Sequence, residues 1–111
     1  MGYYARGSGS IRFSHLTDKE IEDVEVAVGE IFEDYDAQGA NDTENGWIID
    51  FWMDDKYHSE PLETMLANFA RRYDIEDGSI QFMGEDDCIW RFLYVKEKNC
   101  FIEQEGRIVY E

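Results

Sequence analysis

Three apolar segments separated by short polar turns in the C-terminal third constrain the fold most. The segments are SIQFM, CIWRFLYV and CFIEQE, joined by GEDD and KEKN and followed past Gly106 by RIVY. Sequential strands with tight turns predict an antiparallel meander. If the second turn is centred near Lys98, Val95 pairs with Cys100, and Cys88 lies opposite about Arg107.

Two stretches with a helical apolar period precede the meander. In the first, Thr17 and Glu20 match the S/T-x-x-E capping box, and apolar residues recur at helical spacing from Ile21 to Tyr35. We expect the second to begin with Ser59 as its N-cap and Pro61 in its first turn. Its apolar positions are Leu62, Met65, Leu66, Phe69, Ala70 and Tyr73.

Two further segments predict strands. Ile11 and Phe13 alternate with Arg12 before the first helix, and WIIDFWM (residues 47–53) forms a mostly apolar, central segment between the helices. The predicted order is therefore β-α-β-α-β-β-β. This order predicts a single α+β domain over residues 1–111, a two-layer sandwich with both helices on one face of a mostly antiparallel sheet.

The CIWRFLYV segment is apolar on both of its predicted faces. One face carries Cys88, Trp90, Phe92 and Tyr94, and the other carries Ile89, Arg91, Leu93 and Val95. Only one face can lie under the helices. Either the other is covered by a partner or a second copy of the chain, or the strand is central and twisted, so that its bulky side chains shield one another.

The charge of the chain argues against two classes of partner. It has 26 acidic and 10 basic residues and a net charge of −16, but its 43% hydrophobic content indicates a folded core. Nucleic-acid binders need a basic surface, and anionic membranes repel an acidic chain. We therefore expect no direct binding to nucleic acid or membrane.

The expected location is the cytoplasm, because we find no apolar leader or membrane-spanning segment. Cys88 and Cys100 have no CxxC neighbour, and we interpret them as buried thiols in a reducing compartment.

Half of the net charge lies in DKEIEDVEVAVGEIFEDYD, residues 18–36. Like charges at helical spacing cost stability, so this crowding needs a reason. An acidic proteome or a solubility surface is one explanation. The other is that successive carboxylates imitate a phosphate backbone and dock on a basic nucleic-acid-binding protein. The carboxylates predicted to make this contact are Glu22, Glu25, Glu30, Glu33, Asp34 and Asp36.

Other candidate contacts lie at two loops. Trp52 and Tyr57 border a charged loop, and the predicted hairpin tip carries Glu85, Asp86 and Asp87, where exposed acids could serve recognition. We predict no metal at this tip, because neighbouring residues on a strand alternate faces.

DYDAQGANDTEN (residues 34–45) is close to a calcium-binding loop. Its closing position holds Asn45 instead of the bidentate Glu that completes the coordination shell. We therefore interpret it as a helix exit, and we predict neither a metal site nor a cofactor. His15 and His58 have no Ser or Cys at a spacing that indicates a nucleophile, so we predict no catalytic residue and no enzyme.

Three segments resemble a group of short uncharacterised proteins from bacteriophages and actinobacteria: MGYYARGSG, FWMDDKYHSEPLETML and SIQFMGEDDCIWRF. The resemblance implies a phage-linked, non-secreted protein of the host cytoplasm, and it supplies no reaction and no catalytic residues. Phages gain from blocking host nucleases and CRISPR effectors. The leading hypothesis is therefore an anti-defence, anti-CRISPR-like inhibitor that mimics DNA and binds a basic host protein.

Two alternatives remain open. The first is a non-enzymatic interaction or assembly protein that forms a homodimer through the apolar sheet face, with incidental acidity. The second is a divalent-cation binder that uses residues 34–45.

Overall fold

The computed structural model describes residues 4–38, 46–86 and 88–106. Its elements are β1 (Tyr4–Phe13), α1 (Asp18–Ile31), β2 (Asp34–Gln38), β3 (Trp47–Lys56), α2 (Ser59–Arg72), β4 (Ile75–Gly84), β5 (Ile89–Val95) and β6 (Cys100–Gly106). The strands form one antiparallel sheet in the order β2-β3-β1-β4-β5-β6, and the two helices form the second layer. The predicted α+β sandwich is confirmed. Within the described ranges, no helix is long and apolar enough to cross a membrane.

The core lies between the helices and one face of the sheet. Val24 and Val28 of α1 are buried, as are all the predicted apolar positions of α2 up to Ala70, whereas Tyr73 is half-buried. On β1, Ile11 and Phe13 point into this core and Arg12 points away, as predicted. This alternation is the period of two that a half-buried strand requires.

α1 is shorter than predicted, and β2 is a strand that was not predicted from the sequence. The helix ends at Ile31, and Phe32 already has an extended backbone, with φ −103° and ψ 145°. The Phe32 ring packs 4.4 Å from that of Phe51 on β3. This contact turns the chain back along the sheet, so Asp34 and Tyr35 belong to β2 instead of the helix. The order is β-α-β-β-α-β-β-β.

Two smaller predictions at residue level are wrong. His58, not Ser59, is the N-cap of α2, and no side chain caps that helix. The cysteines are not buried, because Cys88 is exposed and Cys100 is half-buried. Cys88 precedes β5, outside the regular part of the strand, and Cys100 pairs with Val95 on the face of the sheet away from the helices, so neither thiol enters the core.

The predicted register of the last hairpin is correct. Val95 pairs with Cys100, and Ile89 pairs with Gly106. On β5, Phe92 and Tyr94 are buried beneath the helix layer, while Ile89, Leu93 and Val95 are half-buried on the opposite face. The predicted RIVY strand lies outside the described residues.

Candidate partner-binding surface

The acidic helix α1 is anchored at its first turn by a capping box. The Glu20 backbone N–H donates to Thr17 Oγ1 at 3.2 Å, and the Thr17 backbone N–H donates to Glu20 Oε1 at 3.0 Å. The hydrogen bonds from Thr17 lower the pKa of Glu20 below its ordinary value. Two backbone N–H groups at the helix start, those of Thr17 and Glu20, are therefore satisfied by local hydrogen bonds.

The outer surface of α1 is almost purely anionic. The helix carries six acidic residues and one basic residue, Lys19, in 14 positions. Because Val24 and Val28 face the core, the exposed side presents mostly carboxylates, around the exposed Val26. Four of them form no ion pair with any described residue. They are Glu22, Asp23, Glu25 and Glu30.

The structure divides the predicted acidic ridge into two groups. Glu22, Glu25 and Glu30 lie on α1, whereas Asp34 and Asp36 lie on β2, in register with Trp52 and Asp50 of β3. Trp52 and Asp50 point away from the helices, so Asp34 and Asp36 do too. Glu33 lies between the groups, and its Oε1 accepts a hydrogen bond from the Asp54 backbone N–H at 3.3 Å. The prediction that all six carboxylates lie along one helix is therefore wrong.

The two aromatic candidates also lie on opposite faces of the sheet. Trp52 is 44% exposed on the side away from the helices. Tyr57 is half-buried on the helix side, where its ring centroid lies 5.0 Å from that of Phe82 and 5.1 Å from that of Trp90. One flat partner surface cannot contact both side chains.

The predicted hairpin tip is held by hydrogen bonds within the turn and by one to the start of β1. Gly84 N–H donates to the Cys88 carbonyl at 2.8 Å, and Asp86 Oδ1 accepts from Cys88 N–H at 3.3 Å. Glu85 N–H donates to the Tyr4 carbonyl at 3.0 Å, which ties the tip to the start of β1. Glu85 and Asp86 are exposed, and Asp87 lies outside the described residues.

The sheet surface opposite the helices, termed the open face, is close to charge balance. Among the residues that the structure describes, it carries four basic and five acidic side chains: Arg6, Arg12, Lys56, Arg91, Asp34, Asp36, Asp50, Asp54 and Asp77. Arg12 Nη2 lies 3.0 Å from Asp77 Oδ2, and Arg6 Nε lies 3.6 Å from Asp54 Oδ2. Tyr4, Trp52 and Met83 are the large apolar side chains most exposed there.

A pocket of about 400 Å³ between the start of α2 and the end of the sheet was not predicted. Tyr57, Glu63, Trp90, Glu103 and Glu105 line it, and we term it the Trp90 pocket. In the sequence, only the alternation of acids in CFIEQE indicates this pocket. It predicts that Glu103 and Glu105 lie on the same face of the strand as Phe101, which packs against the core.

The calcium-loop geometry is absent from the described part of residues 34–45. Asp34 and Asp36 lie at alternate positions of a strand, about 6–7 Å apart along the extended backbone, and not in the tight turn that wraps a calcium loop around its ion. Residues 39–45, including Asn45, lie outside the described ranges. Among the described residues, no group of three His, Cys, Asp or Glu side chains could hold a metal ion. His15 and His58 are exposed.

Comparison of the chain with protein-family models, with curated proteins and with solved structures found no match.

Proposed function

We propose that the protein is a small phage-type inhibitor that binds the basic nucleic-acid-binding surface of a host defence protein or nuclease. α1 is the contact element, and its carboxylates take the place of nucleic-acid phosphates. The observation that supports this proposal most strongly is the linear charge density of α1. Its 14 residues span about 21 Å, so six carboxylates give one carboxylate per ~3.5 Å, or one net negative charge per ~4 Å when Lys19 is counted. One strand of B-DNA presents one phosphate per ~3.4 Å of helix axis.

The uneven distribution of charge supports this assignment. A solubility surface would spread acids over the whole molecule, yet the open face is nearly balanced while α1 has a single lysine. The capping box adds to the argument, because it fixes the helix start and so keeps the carboxylates in a constant array. An array that is ordered before binding loses less entropy on association.

The first test is competition. Immobilised protein is exposed to a bacterial lysate at low and at high salt, and each captured protein is then assayed for binding to labelled DNA or RNA. We expect the protein to displace the nucleic acid without binding nucleic acid itself. Association should weaken steeply with salt, because the steering is electrostatic.

The discriminating variant is Glu22→Lys with Glu25→Lys, on the exposed side and flank of α1. Its matched control is Asp74→Lys with Glu97→Lys, which makes the same charge change at exposed side chains without an ion pair or hydrogen bond to a described residue. Loss of competition only in the α1 variant supports the mimic. Equal losses would mean that bulk charge alone matters, and unchanged competition by a folded α1 variant would refute the proposal.

A second candidate function is assembly of two copies through the open face. It is favoured by the exposed Trp52 and Met83, 44% and 45% exposed, on a surface whose mixed charges would not repel a second copy. Sedimentation equilibrium tests it. A dimer that the Trp52→Ser, Met83→Ser double variant abolishes would support assembly, and a monomeric wild type at all concentrations would exclude it.

A further inference from the structure

The two helices leave a groove between them on the outer surface of the helix layer. α1 lies beside β2 and α2 lies beside β6, which are the two edge strands of the sheet, so the helices are spread toward opposite sides of it. The groove has a volume of about 590 Å³, and α1 contributes one wall and α2 the other. This volume is in the range of ligand pockets. We term it the interhelical groove.

The floor of the interhelical groove is apolar and held in place by the core. Ala27 and Ile31 contribute to it from α1, and Met65 and Phe69 contribute from α2. The Phe69 ring packs against Phe13, with ring centroids 5.9 Å apart and planes at 75°. Because Phe13 is fully buried, the shape of the floor is set before any partner binds. A preformed apolar surface loses less entropy on association.

The rim of the interhelical groove is mostly anionic. Asp23 and Glu30 line it from α1, and Glu60 lines it from the first turn of α2. All three are exposed, and none forms an ion pair within the described ranges. Among the described residues of the lining, the only cation is Arg72, which lies 5.8 Å from the centroid of the Tyr73 ring. The rim therefore carries a net negative charge.

An apolar floor between anionic rims is complementary to one face of a basic amphipathic helix. Such a helix lays its apolar side chains into a groove, and the basic side chains that flank them meet the carboxylates. Asp23 and Glu30 are seven residues apart on α1, which is about 10.5 Å, so basic residues seven positions apart on a bound helix would match them. A second copy of this chain, with its net charge of −16, would instead bring negative charge to the same rim.

We propose that the interhelical groove binds a basic amphipathic helix of a protein partner, with the apolar side chains of that helix on the floor and its basic side chains at Asp23, Glu30 and Glu60. This goes beyond nucleic-acid mimicry and does not rest on it, because Glu22 and Glu25 lie outside the groove. A partner bound here is recognised by its apolar face as well as by its charge. Part of the affinity should therefore remain at salt concentrations that screen the carboxylates.

The test uses a synthetic peptide of about 18 residues of leucine, alanine and lysine, which is long enough to form a helix. Its leucines occupy one helical face, and lysines flank that face at seven-residue spacing. One control peptide has the same composition in a scrambled order without an apolar face. The other control peptide has glutamine at every lysine position.

The readout is the methyl resonances of the methionines, with Met65 assigned by a Met65→Leu variant. We expect the basic helical peptide to shift the signal of Met65, which lines the groove, and to leave that of Met83 on the open face unchanged. Both control peptides should bind at least about tenfold more weakly, because each lacks one half of the complementarity.

Two variants separate the charge of the rim from the shape of the floor. Asp23→Asn with Glu30→Gln should weaken binding of the basic helical peptide about tenfold, since it removes two rim charges. The matched control, Asp74→Asn with Glu97→Gln, makes the same charge change at exposed positions outside the groove and should alter the affinity less than about twofold. Ala27→Leu keeps a good helix former but fills the floor, so it should also weaken binding about tenfold at unchanged charge.

The proposal is overturned if the Met65 signal does not move, if the Met83 signal moves equally, or if either control peptide binds as tightly as the basic helical peptide. It is also overturned if the rim variant and its matched control lose affinity equally. Circular dichroism confirms that each variant is folded. The assay contains no nucleic acid and no lysate protein, so its failure is distinct from a failure of the competition test.

Discussion

Lys96 Nζ lies 2.7 Å from Glu76 Oε2, and this contact joins the turn between β5 and β6 to the start of β4. Ser14, between β1 and α1, donates its hydroxyl to the other carboxylate oxygen of Glu76. One carboxylate therefore links three parts of the chain. The hydrogen bonds from Lys96 and, to a smaller extent, from Ser14 lower the pKa of Glu76. The hydrogen bond to Glu76 raises the pKa of Lys96.

This pair predicts how stability depends on pH. A carboxyl whose folded pKa is lowered stabilises the fold above its unfolded pKa, and the contribution is lost as pH falls through the folded pKa. Wild type should therefore exceed Glu76→Gln in stability at neutral pH, and the gap should close below about pH 4.3. Denaturant midpoints from pH 7 to pH 3 measure it. Glu97→Gln, in the same turn, is the control, and parallel curves for wild type and Glu76→Gln would contradict the prediction.

Two glycines should respond oppositely to the same substitution. Gly46 has φ +74°, and an added Cβ would collide with the Phe13 carbonyl oxygen, so Gly46→Ala should destabilise by about 1–3 kcal/mol. On α1, Gly29→Ala should stabilise by about 0.5–1 kcal/mol, because alanine loses less backbone entropy in a helix. The new Cβ would lie 3.3 Å from Tyr35 Cε1, and this partly exposed ring has room to move.

Thermal melting compares the two alanine variants directly. A lower melting temperature for both variants would mean that the Tyr35 ring cannot move away from the Cβ atom added at position 29. A neutral Gly46→Ala would mean that the connection into β3 adapts more easily than its backbone angle indicates.

Removing one carboxylate from α1 should stabilise the protein. Glu22 lies four residues after Asp18 and three before Glu25, and like charges at these spacings each cost about 0.2–0.5 kcal/mol. Glu22→Gln should therefore add about 0.4–1 kcal/mol to the free energy of unfolding at low salt. Chemical denaturation should show the gain shrinking at high salt. A gain that persists unchanged in molar salt would point to a cause other than repulsion.

Millimolar calcium should leave the melting temperature within about one degree, because a ligand stabilises only in proportion to its binding. Asp34 and Asp36 project from a strand and do not converge. Calorimetric scans with calcium, and with sodium at equal ionic strength, test this. A calcium-specific rise of several degrees would revive a metal site that includes residues 39–45.

The fold was predictable in segments whose apolar pattern fits only one type of secondary structure. In α2, the apolar positions match only a helix, and the short turn before Cys100 fixes the last hairpin register. The end of α1 was not predictable, because Phe32 and Tyr35 fit the helical period while Asp34, Tyr35 and Asp36 also alternate as a strand does. Packing of Phe32 on Phe51 decides between the two, and that contact joins residues far apart in sequence.

The candidate surfaces, too, were predictable only where they lie within one segment of the chain. The acidity of α1 can be read directly from the sequence. The placement of Asp34 on the open face depends on β2, and the Trp90 pocket depends on α2 lying beside β6. Glu63 and Glu103 belong to separate segments, and no local pattern indicates that they line one pocket.

The position of β1 in the middle of the sheet has a consequence for how the chain folds during synthesis. β1 pairs along most of its length with β3 on one side and β4 on the other, and both partners follow it in the chain. When β1 leaves the ribosome it has no partner, and it must wait for β3 and then for β4. Such long-range pairing slows folding. Chaperone binding to nascent chains should therefore persist until β4 has emerged.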